Sequence, residues 1–146
     1  SPADSGPADF NSPEGAVRSF LNALKAKDLD RLNESTALRA SVPHEGGSAK
    51  NQELFKKIID LSLSDSELDD LAKKLEGFAV EFDNPQTSTG RIDVVIRKAT
   101  EHGGYIRRKV TTRREKKGWG VLDIGPSQTF KTPGLILPRK SSGGRR

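Results

Sequence analysis

Between residues 90 and 125 the chain reads as three strands joined by two short turns. The order is GRIDVVIRKA, TEHGG, YIRRKVTTRRE, KKG and WGVLDIG. Ile92, Val94 and Ile96 alternate with Asp93, Val95 and Arg97, the period-two pattern of a strand buried on one face. His102, Gly103 and Gly104 predict a hairpin turn, since glycine reaches positive φ without a Cβ clash. Lys116, Lys117 and Gly118 predict a second one before Trp119. An antiparallel meander of this kind must hide one face, and the segments before it supply the cover.

Those segments are helical in pattern. Ser12-Pro13-Glu14 reads as an N-cap serine, a proline at the first helical position and an acid in the first turn. Val17, Phe20, Leu21 and Leu24 follow on one stripe. Asp28 predicts a new cap for a short helix carrying Leu29, Leu32 and Leu38. After a loop over residues 41–48, Ser48 or Asn51 is placed to cap a third helix bearing Leu54, Phe55, Ile58, Ile59 and Leu61. Ser64 and Glu67 form a capping box ahead of Leu68, Leu71, Ala72 and Leu75, with Gly77 at the C-terminal end. Phe78, Val80 and Phe82 then predict a first strand, broken by Asp83-Asn84-Pro85. The expected fold class is α+β, N-terminal helices packed on a curved antiparallel sheet.

Length and composition set the bounds. The chain has 146 residues, of which 32% are hydrophobic, and its Gly, Pro and Ser gather at the two ends. That predicts a folded centre of about 110–120 residues with flexible flanks. The expected division is a lead-in over 1–11, a single α+β domain over 12–125 and a basic Pro/Gly-rich tail over 126–146. Within that tail, the aliphatic run at 135–137 reads as an edge segment or a strap. No run of about 18 apolar residues is present, so no membrane span is expected. The absence of cysteine excludes disulfides, thiolate nucleophiles and Cys-rich zinc sites. The chain starts at Ser1, which fits a removed leader and hence export to the envelope or beyond; an engineered start fits equally.

Charge is uneven. Residues 1–77 carry ten Lys/Arg and fourteen Asp/Glu, residues 78–146 fifteen and six, so −4 precedes +9 in a total of +5. One reading of that pattern is mutual attraction between the layers together with solubility; the other is a basic surface for an anionic partner.

Some of these residues also look like a known family. PEGAVRSFLNALKAKDLDRL resembles the opening helix pair of the nuclear transport factor two-like (SnoaL-like) superfamily, and REKKGWGVLDI resembles its closing hairpin. The nearest match is to bacterial exported domains of unknown function in that superfamily. The resemblance covers about a quarter of the chain. It implies a cone-like fold, with any enzyme working between helices and sheet through inward Asp, His or Tyr. Two features depart from the pattern: two helices between Ser48 and Leu75 where a strand and then a helix are usual, and the basic tail.

Catalytic candidates are few. His44 falls in a loop and His102 in a turn, with no metal-ligand spacing between them. Asp93 and Asp123 are expected on the outer face, so no catalytic set, metal site or cofactor is expected. Arg108 shares a strand face with Ile106 and Val110. An inward arginine needs a pairing acid, water or an acidic ligand, since an isolated buried charge is costly; a register slip or bulge would instead turn it outward. The opposite face presents Tyr105, Arg107, Lys109 and Arg113 beside Arg91 and Arg97, the residue types that hold phosphates or acidic polysaccharide. Base stacking needs interleaved aromatics, which are missing, and that argues against nucleic acid. The expected function is a non-catalytic binding module engaging a protein or anionic polymer through that face, which would also serve a homodimer. The alternative is a small-molecule binder or small enzyme using a cavity near Arg108.

Overall fold

The structure is a computed structural model that describes residues 9–42, 48–81, 90–101 and 103–130. Four helices come first: α1 (Pro13–Ala26), α2 (Leu29–Glu34), α3 (Ala49–Ile59) and α4 (Asp65–Lys74), with a 3-10 turn at Leu38–Ser41 between α2 and α3. The strands are β1 (Ala79–Val80), β2 (Arg91–Ala99), β3 (Tyr105–Glu115), β4 (Gly118–Ile124) and β5 (Gln128–Phe130). The sheet is antiparallel in the order β1-β2-β3-β4, and β5 pairs with β3. Helices packed on a curled antiparallel sheet make this an α+β fold.

Each helix begins on a side-chain cap. Ser12 Oγ accepts from the Gly15 N–H at 3.0 Å, and Asp28 accepts from the Arg31 N–H at 3.1 Å. Of the two candidates for α3, Ser48 is the cap, accepting from Asn51 N–H. Ser64 and Glu67 form the reciprocal box at α4. These caps satisfy donors that a helix start leaves without intrahelical partners. Asn33 of α2 works at the other end of α3, donating to the carbonyls of Ile58 and Ile59 at 3.1 and 2.8 Å.

The core forms where the helical stripes meet the inner sheet face. Phe20, Leu24, Phe55, Ile58, Leu68 and Leu71 are buried in one cluster with Val94, Ile96, Val110, Val121 and Leu122. Val94 pairs with Val110 at the centre of the β2–β3 ladder, and Ile106 is only half-buried toward its end. A β-bulge between Thr111 and Thr112 breaks strict alternation in β4, so Val121 and Leu122 are both buried.

Several details differ from the sequence reading. Leu38 lies in the 3-10 turn and is exposed. Leu61 falls beyond the end of α3, at φ 58°, and is also exposed. Helical periodicity counts such leucines as core because it does not see where the helix stops. β1 is two residues long, and Phe82 lies outside the described residues. So do His44, His102 and residues 135–137. Part of the expected lead-in is fastened: Phe10 accepts from the Trp119 N–H at 2.8 Å, and Asp9 N–H donates to Ser19 Oγ. Past Gly125 the sheet continues into β5.

Residues 35–37 lie along the far side of β4 as a short parallel bridge. Val121 N–H donates to Ser35 and its carbonyl accepts from Ala37, both at 2.8 Å. That contact needs Gly120, where an added Cβ would stand 2.7 Å from the Ala37 nitrogen. Gly120→Ala is expected to lower unfolding free energy by about 1–3 kcal/mol, the usual range for overpacking, measured by urea denaturation. Val94→Asp is expected to abolish the cooperative thermal transition, because an unpaired carboxylate in this core costs several kcal/mol. A folded Val94→Asp protein would place the β2 register one residue off.

Candidate functional site

The β2–β3 ladder aligns the cationic residues. Arg97 faces Arg107, Val95 faces Lys109, Arg91 faces Arg113 and Ala99 faces Tyr105. Residues directly opposite share a sheet face, so Arg97, Tyr105, Arg107, Lys109 and Arg113 stand together on the outer side.

Acidic and aromatic neighbours partly cover this row. Glu81, just after β1, joins the sheet through its N–H to the Val95 carbonyl at 2.9 Å. Its carboxylate takes Arg107 Nε and Nη2 at 3.0 and 2.9 Å and lies 3.8 Å from Arg97. Arg97 also sits over the Tyr105 ring at 4.2 Å, and Tyr105 stacks on Phe130 of β5 with ring centroids 5.2 Å apart. Arg113 lies 3.8 Å from Glu115, yet Glu115 is committed elsewhere, accepting from the N–H groups of Leu38 and Arg39 at 2.9 and 3.1 Å. Lys109 is exposed and makes no ion pair among the described residues.

The sequence reading missed Glu81 and Phe130. Glu81 lies about 26 positions before Arg107, and only the pairing of β1 onto β2 brings it there. Phe130 falls in what reads as a tail. Asp93 is outward as expected and accepts from Thr111 Oγ1. Asp123, expected on the outer face, is half-buried and accepts from Asn51 of α3 at 2.7 Å. The helix reaches the end of β4, where alternation alone predicts solvent.

Arg108 is on the inner row, opposite the fully buried Ile96. Its Nη1 donates to the Gly125 carbonyl at 2.8 Å, and its guanidinium lies 5.9 Å from the Phe78 ring centroid. Its Nε is buried without a hydrogen-bond partner. Burial holds its pKa below the ordinary guanidinium value. Lys74 of α4 is pushed down as well, first by burial and then by Arg108 and Lys50. No acid from the helices pairs with Arg108 among the described residues. A cavity of about 180 Å³ lies beside it, lined by Val95, Arg107, Arg108, Lys109, Pro126 and Gln128. Among the described residues no group of three His, Cys, Asp or Glu side chains could hold a metal, and no helix is long and apolar enough to cross a membrane.

No protein-family model matches the chain, and no curated protein matches it. Among solved structures it is similar to the crystal structure of a cystatin-like protein from Ruminococcus gnavus. The identity is 15%, the TM-score 0.42, and the match covers 92% of this chain and 40% of that one. At that score the likeness carries no argument about function. The resemblance to the nuclear transport factor two-like superfamily is therefore corrected: no family model places the chain there, and the structural match is described as cystatin-like. The reason is physical. A capped amphipathic helix and a Gly-Trp hairpin are local solutions open to many folds, and α3 and α4 occupy the region where that pattern has a strand and then a helix.

Glu81→Gln leaves Arg97 and Arg107 facing each other without their shared carboxylate. The substitution is expected to lower stability by about 1 kcal/mol, the scale of a partly exposed ion pair, and the loss should shrink at high salt. Chemical denaturation at low and high salt checks both.

Proposed function

We propose that the chain is a non-catalytic binding module whose outer sheet face engages an acidic protein or an anionic polymer. One observation carries the reading: along β3 the outward positions 107, 109 and 113 are all cationic, while the nearby carboxylates are shared or diverted. Glu81 serves two arginines at once, and Glu115 is held by backbone N–H groups. Like charges side by side in a sheet are mildly destabilising, so a row this dense is better suited to a partner than to the free molecule. Outward residues two apart on a strand lie about 6.6–6.8 Å apart, a spacing that lets successive cations meet successive anionic groups on an extended polymer. The Tyr105–Phe130 pair beside Arg107 adds an apolar rim that a protein partner would cover.

Replacing Arg107, Lys109 and Arg113 in turn with Gln is expected to lower the salt needed for elution from heparin or phosphocellulose in steps. Each anionic contact formed releases a counterion, so each lost cation reduces the salt dependence of binding. Thermal stability should hold or rise for Lys109→Gln and Arg113→Gln, whereas Arg107→Gln also loses its pair with Glu81 and is expected to cost up to about 1 kcal/mol. Unchanged elution with a higher melting temperature would mark the row as a solvated face with self-repulsion.

A further inference from the structure

We propose that the β3–β4 hairpin end of the outer face is a docking surface for an acidic segment of a partner protein, one that lays an apolar side chain on Leu38 and its carboxylates on the cations around it. The inference rests on the outer-face reading and narrows it, choosing an acidic protein over an anionic polymer.

The surface starts from Gly120. It pairs with Arg113 and brings no side chain to the sheet there, so residues 36 and 37 close over it. An added Cβ would stand 2.7 Å from the Ala37 nitrogen and 3.0 Å from the Thr36 carbonyl carbon. The chain then enters the 3-10 turn at Leu38. Helical starts leave N–H groups without intrahelical partners, and Ala37 at the cap makes no side-chain bond to them. Glu115 does so instead, accepting from Leu38 and Arg39 N–H at 2.9 and 3.1 Å. Leu38 is thereby held against the end of β3 while 58% of its surface stays exposed. A lone exposed leucine is ordinary on a protein surface. This one has a fixed backbone mount, so a partner that covers it has less disorder to suppress.

Leu38 lines an open groove of about 600 Å³ with Arg113, Arg114, Glu115, Lys116 and Lys117. Four of these five companions are cationic, and the one acid is the residue already engaged by the turn. Arg113 approaches Glu115 only to 3.8 Å, too far for a hydrogen bond. Arg114 lies over the Trp119 ring at 6.0 Å, and neither it nor Lys116 makes an ion pair among the described residues. Lys117 is turned to the Thr36 carbonyl, which accepts from its Nζ at 2.7 Å. Glu34, the other carboxylate acting on Lys117, is paired with Arg31 at 2.9 Å.

A held apolar group ringed by unneutralised cations calls for a partner with the opposite arrangement. Protein interfaces have that form, an apolar centre inside a polar rim, and complementary charge speeds encounter and fixes register. A polysaccharide would meet the cations but bring no apolar side chain to Leu38. Arg113 is also the last cation of the outer row, opposite Arg91. An acidic segment seated here therefore has a continuous path along β3 toward Lys109 and Arg107.

The test measures binding of the full chain to a fluorescent synthetic peptide in which one leucine is flanked on both sides by runs of glutamate, at several salt concentrations. A second peptide carries serine in place of the leucine. The leucine peptide is expected to bind roughly tenfold tighter, the scale of burying part of a leucine on each partner. Leu38→Ser changes an exposed side chain and keeps the backbone N–H that Glu115 holds. It is expected to remove the difference between the peptides and to leave heparin elution unchanged. Arg113→Gln and Lys116→Gln are expected to weaken both peptides and to flatten the salt dependence. No binding of either peptide overturns the proposal, as does equal affinity for the two or a leucine preference that survives Leu38→Ser. If any of these occurs while Gln at 107, 109 and 113 still lowers the salt of heparin elution, the outer-face reading stands with a polymer as its partner; if heparin elution is unmoved as well, both readings fail.

Discussion

The pairing of Val94 with Val110 fixes everything that is chemically distinctive in this protein. Side chains in a strand alternate faces with a period of two, so this one register sends Ile92, Val94, Ile96 and Val110 inward and Arg97, Arg107, Lys109 and Arg113 outward. A slip of one residue would bury the cations and expose the core. The apolar face must be covered by α1 and the helices beside it, and that requirement holds the register against the repulsion of the basic row. Hydrophobic burial at about 25 cal/mol per Å² outweighs the few tenths of a kcal/mol that opposed surface charges cost.

Arg108 is the exception within that order. It occupies an inner-row position among aliphatic neighbours, yet it lies where β4 ends and the link to β5 begins. There the Gly125 carbonyl and the Phe78 ring can reach it. The link over 125–127, one residue longer than the stretch of β3 it spans, carries the chain into β5 and brings Phe130 onto Tyr105. That link thus sets the aromatic rim of the outer face.

The helical layer is joined to the sheet by more than side-chain packing. Residues 35–37 bond to Val121 through the backbone, and the absence of a side chain at Gly120 lets them approach. This covers part of the β4 edge, which would otherwise present free N–H and C=O groups. Asn51 from α3 adds a second tie at Asp123 and the Ile124 carbonyl. The helices are therefore located along β4 by hydrogen bonds, and the apolar contacts fill in around them.

The sequence by itself determined the local grammar: the caps at Ser12, Asp28 and Ser64, the apolar stripes, and the alternation that sorts the basic row from the core. Each of these depends on residues within a few positions of one another, where spacing alone decides which face a side chain takes. Sequence patterns could not supply the partners that arrive from far along the chain. Glu81 reaches Arg97 and Arg107 only because β1 joins β2. Phe130 reaches Tyr105 only because the chain runs on along β3 past Pro126, and Asp123 is taken by Asn51 because α3 lies against the end of β4. The likeness to a known superfamily failed for the same reason, since it was carried by local signals that many folds share. Tertiary structure decided how much of the basic row is neutralised and where Arg108 finds its one acceptor, because those outcomes depend on contacts between segments whose spacing in sequence carries no trace of their meeting.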